Sequence, residues 1–178
     1  AFSCCFQLTS ITLPSGLTAI ESGTFDLCKS LTTIDIPDSV AAIADDAFIG
    51  CKALQSFTLS PNHPYFFLAD DALCRTADST LLLYPNAREP RTYRIPDGIT
   101  AISAYAFYDC DLLESVVVPD SVTQLPARAF SGCSALASVS LPDSLTEIGN
   151  GAFSNCTALT LTVTPDSYAT EYAKANNI

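Results

Sequence analysis

The chain has 178 residues, enough for one ordinary domain, and 48% of them are hydrophobic. Eight Lys and Arg stand against 19 Asp and Glu, a formal net charge of -11. That balance excludes a nucleic-acid partner, whose phosphates need clustered Lys and Arg, and electrostatic docking on anionic lipid. No apolar run approaches the roughly 20 residues of a membrane span, so no membrane insertion is expected.

Ala1 to Leu13 reads as the back half of a repeat, because Ala1-Phe2 aligns with Ala47-Phe48. On that alignment the chain starts inside a coil and is expected to be a fragment of a longer protein. Pro14 and Pro37 then open two full units. The Pro37 unit ends at Leu59, and the next strand phrase ends only at Ile95, 36 residues on. Within this insert, about 60–95, Thr76 to Ser79 is a turn-like cluster and Leu81 to Tyr84 reads as a strand. A β-hairpin is predicted at that turn. Pro96, Pro119 and Pro142 open three more units, 23 residues apart. Pro165 begins a final phrase, 165–178, with no strand. Ser167 is placed there to cap a helix whose Tyr168, Ala169, Tyr172 and Ala173 share one apolar face. This fits a terminal element covering the end of a stack. Leu159, Leu161 and Val163 alternate one residue out of the usual phase.

Phenylalanine and cysteine repeat with proline: Phe2, Phe25, Phe48, Phe107, Phe130 and Phe153, and Cys5, Cys28, Cys51, Cys110, Cys133 and Cys156. Val139 and Leu141 alternate with Ser138 and Ser140, the period of a strand with one buried face. Pro142 follows and cannot donate to a ladder, so the strand stops. Ala129 to Cys133 is too short for a regular helix and reads as a single helical turn. One such coil cannot bury its own apolar edge, whereas stacked coils can. Each buried Leu, Ile, Val or Phe then contributes roughly 1.5–3 kcal/mol.

The phrase P-D-S-V-x-x-I-x-x-x-A-F-x-x-C-x-x-L-x-x-V-x-L resembles BspA-like leucine-rich repeats over nearly the whole chain. The resemblance implies a leucine-rich repeat solenoid, one domain spanning 1–178. A parallel β-sheet would line one side and short helical turns the other, with one β-hairpin insert and a C-terminal helical cap. Proteins of this kind are mostly large surface or secreted proteins of anaerobic bacteria and some protists. The expectation is therefore a bacterial cell-surface or extracellular module for adhesion or binding to a protein or glycan. A rigid stalk that holds another domain off the cell surface is the alternative. The resemblance carries no catalytic residues, and neither enzyme activity nor a cofactor is expected.

The ladder cysteines are expected to be reduced, buried and used as small hydrophobes, since metal sites favour close pairs such as C-x-x-C. Cys4 and Cys74 fall outside the ladder. Asp38, Asp97, Asp120, Asp143 and Asp166 recur after the repeat proline. One carboxylate per coil is sparse for calcium, so an Asx-type turn is expected and no metal. His63, the single histidine, reads as a loop residue. Along the strands Ser10, Thr12, Thr33, Asp35, Ser56, Thr58, Thr92, Arg94, Ser115, Val117, Ser138 and Ser140 face outward, a surface poor in the Trp, Tyr and Arg of binding hot spots. The insert differs. Arg75, Arg88, Arg91 and Arg94 lie there with Tyr65, Tyr84 and Tyr93, the candidate partner-binding residues of a monomer. Two readings stay open. Either these side chains meet a partner, or the aromatics pack the hairpin and the arginines pair with local acids.

Overall fold

In the computed structural model, which describes residues 1–178, the coils contribute two strands each. The first supplies β1 (Ala19–Ile20) and β2 (Thr33–Asp35), and the second β3 (Ala42–Ile43) and β4 (Ser56–Thr58). The insert adds β5 (Phe66–Ala69), β6 (Ala72–Arg75) and β7 (Thr80–Leu83) before β8 (Thr92–Arg94). Then come β9 (Ala101–Ile102), β10 (Ser115–Val117), β11 (Gln124–Leu125), β12 (Ser138–Ser140), β13 (Glu147–Ile148) and β14 (Thr160–Thr162). The chain ends in α1 (Tyr168–Asn176).

The middle residue of each repeat strand faces the core: Ile34, Phe57, Tyr93, Val116 and Val139 are all buried. Pairing is parallel and follows the period, with Thr33 opposite Ser56 and Thr92, Ser115 and Ser138 in line. The last step drops one residue, so that Val139 pairs with Leu161, and this is the phase shift visible in the sequence. Between strands and turns, rings stack along the axis. Phe2–Phe25, Phe25–Phe48, Phe107–Phe130 and Phe130–Phe153 have centroids 4.6–5.6 Å apart.

On the opposite side each coil makes single turns closed by bonds from N–H(i) to O(i−3), such as Cys28 to Phe25 and Cys51 to Phe48. The residue before each ladder cysteine is left-handed: Cys4, Leu27, Gly50, Asp109, Gly132 and Asn155 have φ between 55° and 83°. The reversal steers the chain out of the turn and towards the next strand. Regular helix is confined to the C-terminus. There Ser167 accepts the Thr170 N–H at 3.2 Å and Ala169 and Ala173 are buried. Tyr172 packs against Phe153, whereas Tyr168 faces solvent instead of joining the apolar face.

A single sheet running from the strand at Leu13 to that at Leu141 is not what forms. Ser10–Leu13 makes no strand, and β4 does not pair with β8. The insert explains the break. It holds two hairpins where one was expected, the second turning at Asp70-Asp71 with both φ positive (46° and 69°). A two-residue turn of that kind matches the twist of its strands. The meander β5-β6-β7 joins β9 in parallel through β7. Its tip reaches the gap between β4 and β8, where Arg88 Nε bonds Asp71 at 3.0 Å and Tyr93 Oη donates to Ala69 O at 2.8 Å. Nor is the meander a displayed loop. Phe66, Leu73, Leu82 and Leu83 pack into an N-terminal core, and Ala72, Cys74, Leu81 and Tyr84 into a separate C-terminal core. The insert is a partition with an apolar face on each side.

Candidate functional site

The 36-residue coil is an ordinary 23-residue coil carrying 13 extra residues, and two of its side chains show this. Tyr84 lies 23 residues before Phe107 and stacks on it at 5.3 Å, in the place of the repeat phenylalanine. His63 lies 23 residues after Val40, at the buried aliphatic position of the opening turn. It is not a solvated loop residue. Its Nε2 donates to Pro37 O at 3.0 Å, and Nδ1 accepts the N–H groups of Tyr65 (3.3 Å) and Phe66 (3.2 Å). The imidazole thus fixes the start of β5 to the preceding coil.

The proposed partner-binding residues divide sharply. Tyr84 and Tyr93 are core residues, 1% and 3% exposed, and cannot touch a partner. Arg88 lies over both rings, with its guanidinium carbon 5.8 and 5.6 Å from their centroids, and its side chain is only 12% exposed. It is a packing residue. The buried Tyr84 hydroxyl has no well-aligned hydrogen-bond partner; burial pushes its pKa up, and the Arg88 guanidinium nearby pulls against that rise. Arg75, Arg91, Arg94 and Tyr65 remain at the surface. Arg75 makes a two-pronged pair with Asp78, whose carboxyl it holds down at about 2. Arg91 reaches Glu89 and Glu114, and Arg94 reaches Asp97 at 3.5 Å. Each arginine has a carboxylate, so the insert is electrostatically closed rather than a bare basic patch. Where β4 and β8 part, a cleft of about 310 Å³ is lined by Gln55, Ser56, Asp71, Ala87, Arg88 and Glu89.

The hydroxyl-rich strand face is open and internally bonded, with Ser56 donating to Thr33 (3.2 Å) and Thr58 to Asp35 (2.7 Å). The aspartates after the repeat prolines do not form the expected Asx turns. Instead the turns close from the fourth residue's N–H to the proline carbonyl, as in Val40 to Pro37. The serines at the third position bond the preceding coil: Ser39 to Leu17 O, Ser121 to Ile99 O and Ser144 to Val122 O, at 2.6–3.1 Å. No three His, Cys, Asp or Glu side chains converge in a metal-binding group.

All eight cysteines are free. Cys28, Cys51, Cys110 and Cys133 are buried as expected, and so is Cys74 in the insert; Cys5 is exposed and Cys156 half-buried, since ladder thiols are covered by flanking coils. The thiols are more than small hydrophobes. Cys28, Cys51, Cys133 and Cys156 each donate to the phenylalanine carbonyl of the coil before, at 2.9–3.2 Å. Burial pushes Cys51 and Cys74 up to about 12, and the neighbouring ladder thiols push Cys133 and Cys156 up strongly. On the same side Lys52 pairs with Asp111, and burial raises the nearby Asp109.

Solved structures share this architecture. A leucine-rich repeat protein from Eubacterium ventriosum superposes with a TM-score of 0.72 at 24% identity, over 93% of this chain and 56% of its own. The pneumococcal vaccine antigen PcpA gives 0.66 at 18% identity, over 86% of this chain and 50% of its own. A leucine rich cell surface protein from Faecalibacterium prausnitzii A2-165 gives 0.50 at 26% identity, over 97% and 64%. The chain thus spans about half the length of the first two. No curated protein matches by sequence. The BspA type leucine rich repeat region matches in six copies, over residues 1–68 and 86–175, a gap that falls on the insert. The chain belongs to the BspA-type leucine-rich repeat family.

Proposed function

We propose that this chain is a non-catalytic binding module of a bacterial surface or secreted protein, displayed to meet a protein or glycan. The observation that carries the reading is the insert. It is clamped between two cores and leaves Tyr65 and Leu68 exposed along β5, and Arg91 and Arg94 exposed at the break in the sheet. Rigid scaffolds that present a few variable residues suit recognition, because little order is lost on binding. The surface location is supported by the cell-surface protein of similar fold. The test is an array of host matrix proteins and glycans probed with the purified chain, followed by Tyr65→Ala with Arg91→Ala and Arg94→Ala. Binding that this variant weakens, at unchanged melting temperature, supports the reading. Binding that only Thr33, Asp35 and Ser56 substitutions abolish moves recognition to the strand face. An array with no binder favours the stalk.

A further inference from the structure

We infer that the free edge of β5 is a strand-addition site for an extended, basic segment of a partner protein. The inference rests on the reading of the chain as a binding module. β5 ends its sheet and is paired on one side only, with β6. Thr76 N–H donates to Tyr65 O, so Tyr65, Phe67 and Ala69 turn their backbone groups towards β6. Phe66 and Leu68 turn theirs the other way. The Phe66 N–H is taken by His63 and Phe66 is itself buried, so the open part of the edge is Leu68, whose two backbone groups have no partner in the protein.

Edge strands are usually guarded by a lysine, a proline or a bulge. Phe66–Ala69 carries none of these. Instead, two of the five large apolar side chains left exposed on the whole molecule, Tyr65 at 43% and Leu68 at 37%, flank this edge. The edge is also held in place. Phe66 is buried, the Asp70-Asp71 turn is tight, and His63 ties the strand's start to Pro37 O. An incoming strand would pair beside Leu68, with its alternate side chains on one face meeting Leu68 and those on the other face lying towards Tyr65.

Charge decides the occupant. Asp70, at one end of the edge, has no ion pair. Asp38, exposed next to Pro37, lies near the other end, where it accepts the Ser60 hydroxyl at 2.6 Å. The molecule carries -11, so a second copy would meet repulsion, whereas a strand alternating apolar residues with Lys or Arg is attracted.

The probe is a capped decapeptide alternating Val and Lys. Its controls are the same peptide with Glu for Lys and the Val–Lys peptide N-methylated at alternate amides. Titration calorimetry is combined with hydrogen exchange on the intact chain. The Val–Lys peptide should bind and protect the Leu68 amide, and the two controls should not. Leu68→Lys should weaken binding by about tenfold or more, with its melting temperature kept, and Asp70→Asn should weaken it less. No binding of the Val–Lys peptide, equal binding of the Glu peptide, or an unchanged Leu68→Lys variant would overturn the proposal. So would sedimentation showing that copies of the chain pair through this edge. A partner from the array that binds wild type and Leu68→Lys equally removes the edge while leaving the binding-module reading in place.

Discussion

Tyr84 stacks on Phe107 with ring centroids 5.3 Å apart, in the place that phenylalanine holds in six other coils, and its hydroxyl lies buried without a well-aligned partner. The ring is therefore a repeat residue and the oxygen a burden. A buried polar atom left unsatisfied costs about 1–3 kcal/mol. Tyr84→Phe should raise stability by about 1 kcal/mol, read as a higher melting temperature. A drop of that size would show that the hydroxyl does have a favourable interaction.

Arg88, a candidate for which the sequence left partner binding and local packing both open, should behave as a structural residue. It covers Tyr84 and Tyr93 and bonds Asp71. Arg88→Ala should destabilise by about 1–2 kcal/mol. Arg91→Ala and Arg94→Ala, whose side chains are 48% and 67% exposed, should change stability by less than about 0.5 kcal/mol. Denaturant titration of the three single variants checks this, and equal effects would contradict the packing described.

Two backbone positions should respond in opposite directions. Arg128 is exposed and left-handed, with φ of 59°, a conformation that costs a residue with a Cβ about 1–2 kcal/mol. Arg128→Gly should stabilise by a few tenths to about 1 kcal/mol, since part of the gain is offset by the freer unfolded chain. Gly149 lies against the backbone of the preceding coil. A Cβ there would come within 2.5 Å of Ala127 N and 2.8 Å of Pro126 C, and neither can swing aside. Gly149→Ala should cost about 2 kcal/mol or more in thermal melts.

Thiol chemistry gives a direct view of the ladder. Native protein treated with iodoacetamide should react at Cys4 and Cys5, slowly at Cys156, and hardly at all at Cys28, Cys51, Cys74, Cys110 and Cys133. In denaturant, without any reductant, all eight should react. Protection that survives denaturant until reductant is added would instead show disulfides.

The same thiols set an alkaline limit. Cys51 and Cys74 are held at about 12 in the fold against an ordinary 9.0, because burial penalises the thiolate. A group raised in this way stabilises fully below pH 9, and that contribution is lost as pH climbs through 12. The summed loss is on the order of a few kcal/mol. Melting temperatures between pH 8 and 11.5 should fall, and more steeply for wild type than for Cys51→Ala compared with its own value at pH 8. Parallel curves would rule out the thiol as a cause.

The 23-residue spacing of Pro, Phe and Cys made the coils, the parallel register and the C-terminal cap legible, because each residue type answers one recurring physical demand. The insert was harder, since 13 additional residues break the count from Pro37. Counting back from Phe107 reaches Tyr84, and counting on from Val40 reaches His63, so both were available to a count made from the two ends. Arg91 and Glu114 are also one period apart, and their pairing follows from stacking. Arg88 with Asp71 does not, because it depends on a tip turn inside the insert. The two-sided burial of β6 and β7 was hidden for a related reason. Ala72-Leu73-Cys74 and Leu81-Leu82-Leu83 show no alternation, which fits a strand covered on both faces but equally fits a short buried helix.

In a repeat protein, stability passes from coil to coil through nearest neighbours, so a missing backbone ladder should let one half melt before the other. Leu73 and Leu83 serve the first half while Cys74 and Leu81, their neighbours on the same strands, serve the second. Neither half can open without stripping apolar cover from strands that the other half needs. Apart from an isolated backbone bond such as Ala87 N–H to Leu54 O at 2.8 Å, cooperativity across the interrupted sheet is therefore carried by side chains, and a single melting transition is expected where the strand pairing suggests two. Swapping Leu73, Leu82 and Leu83 for alanine should uncouple the halves into two resolvable calorimetric peaks.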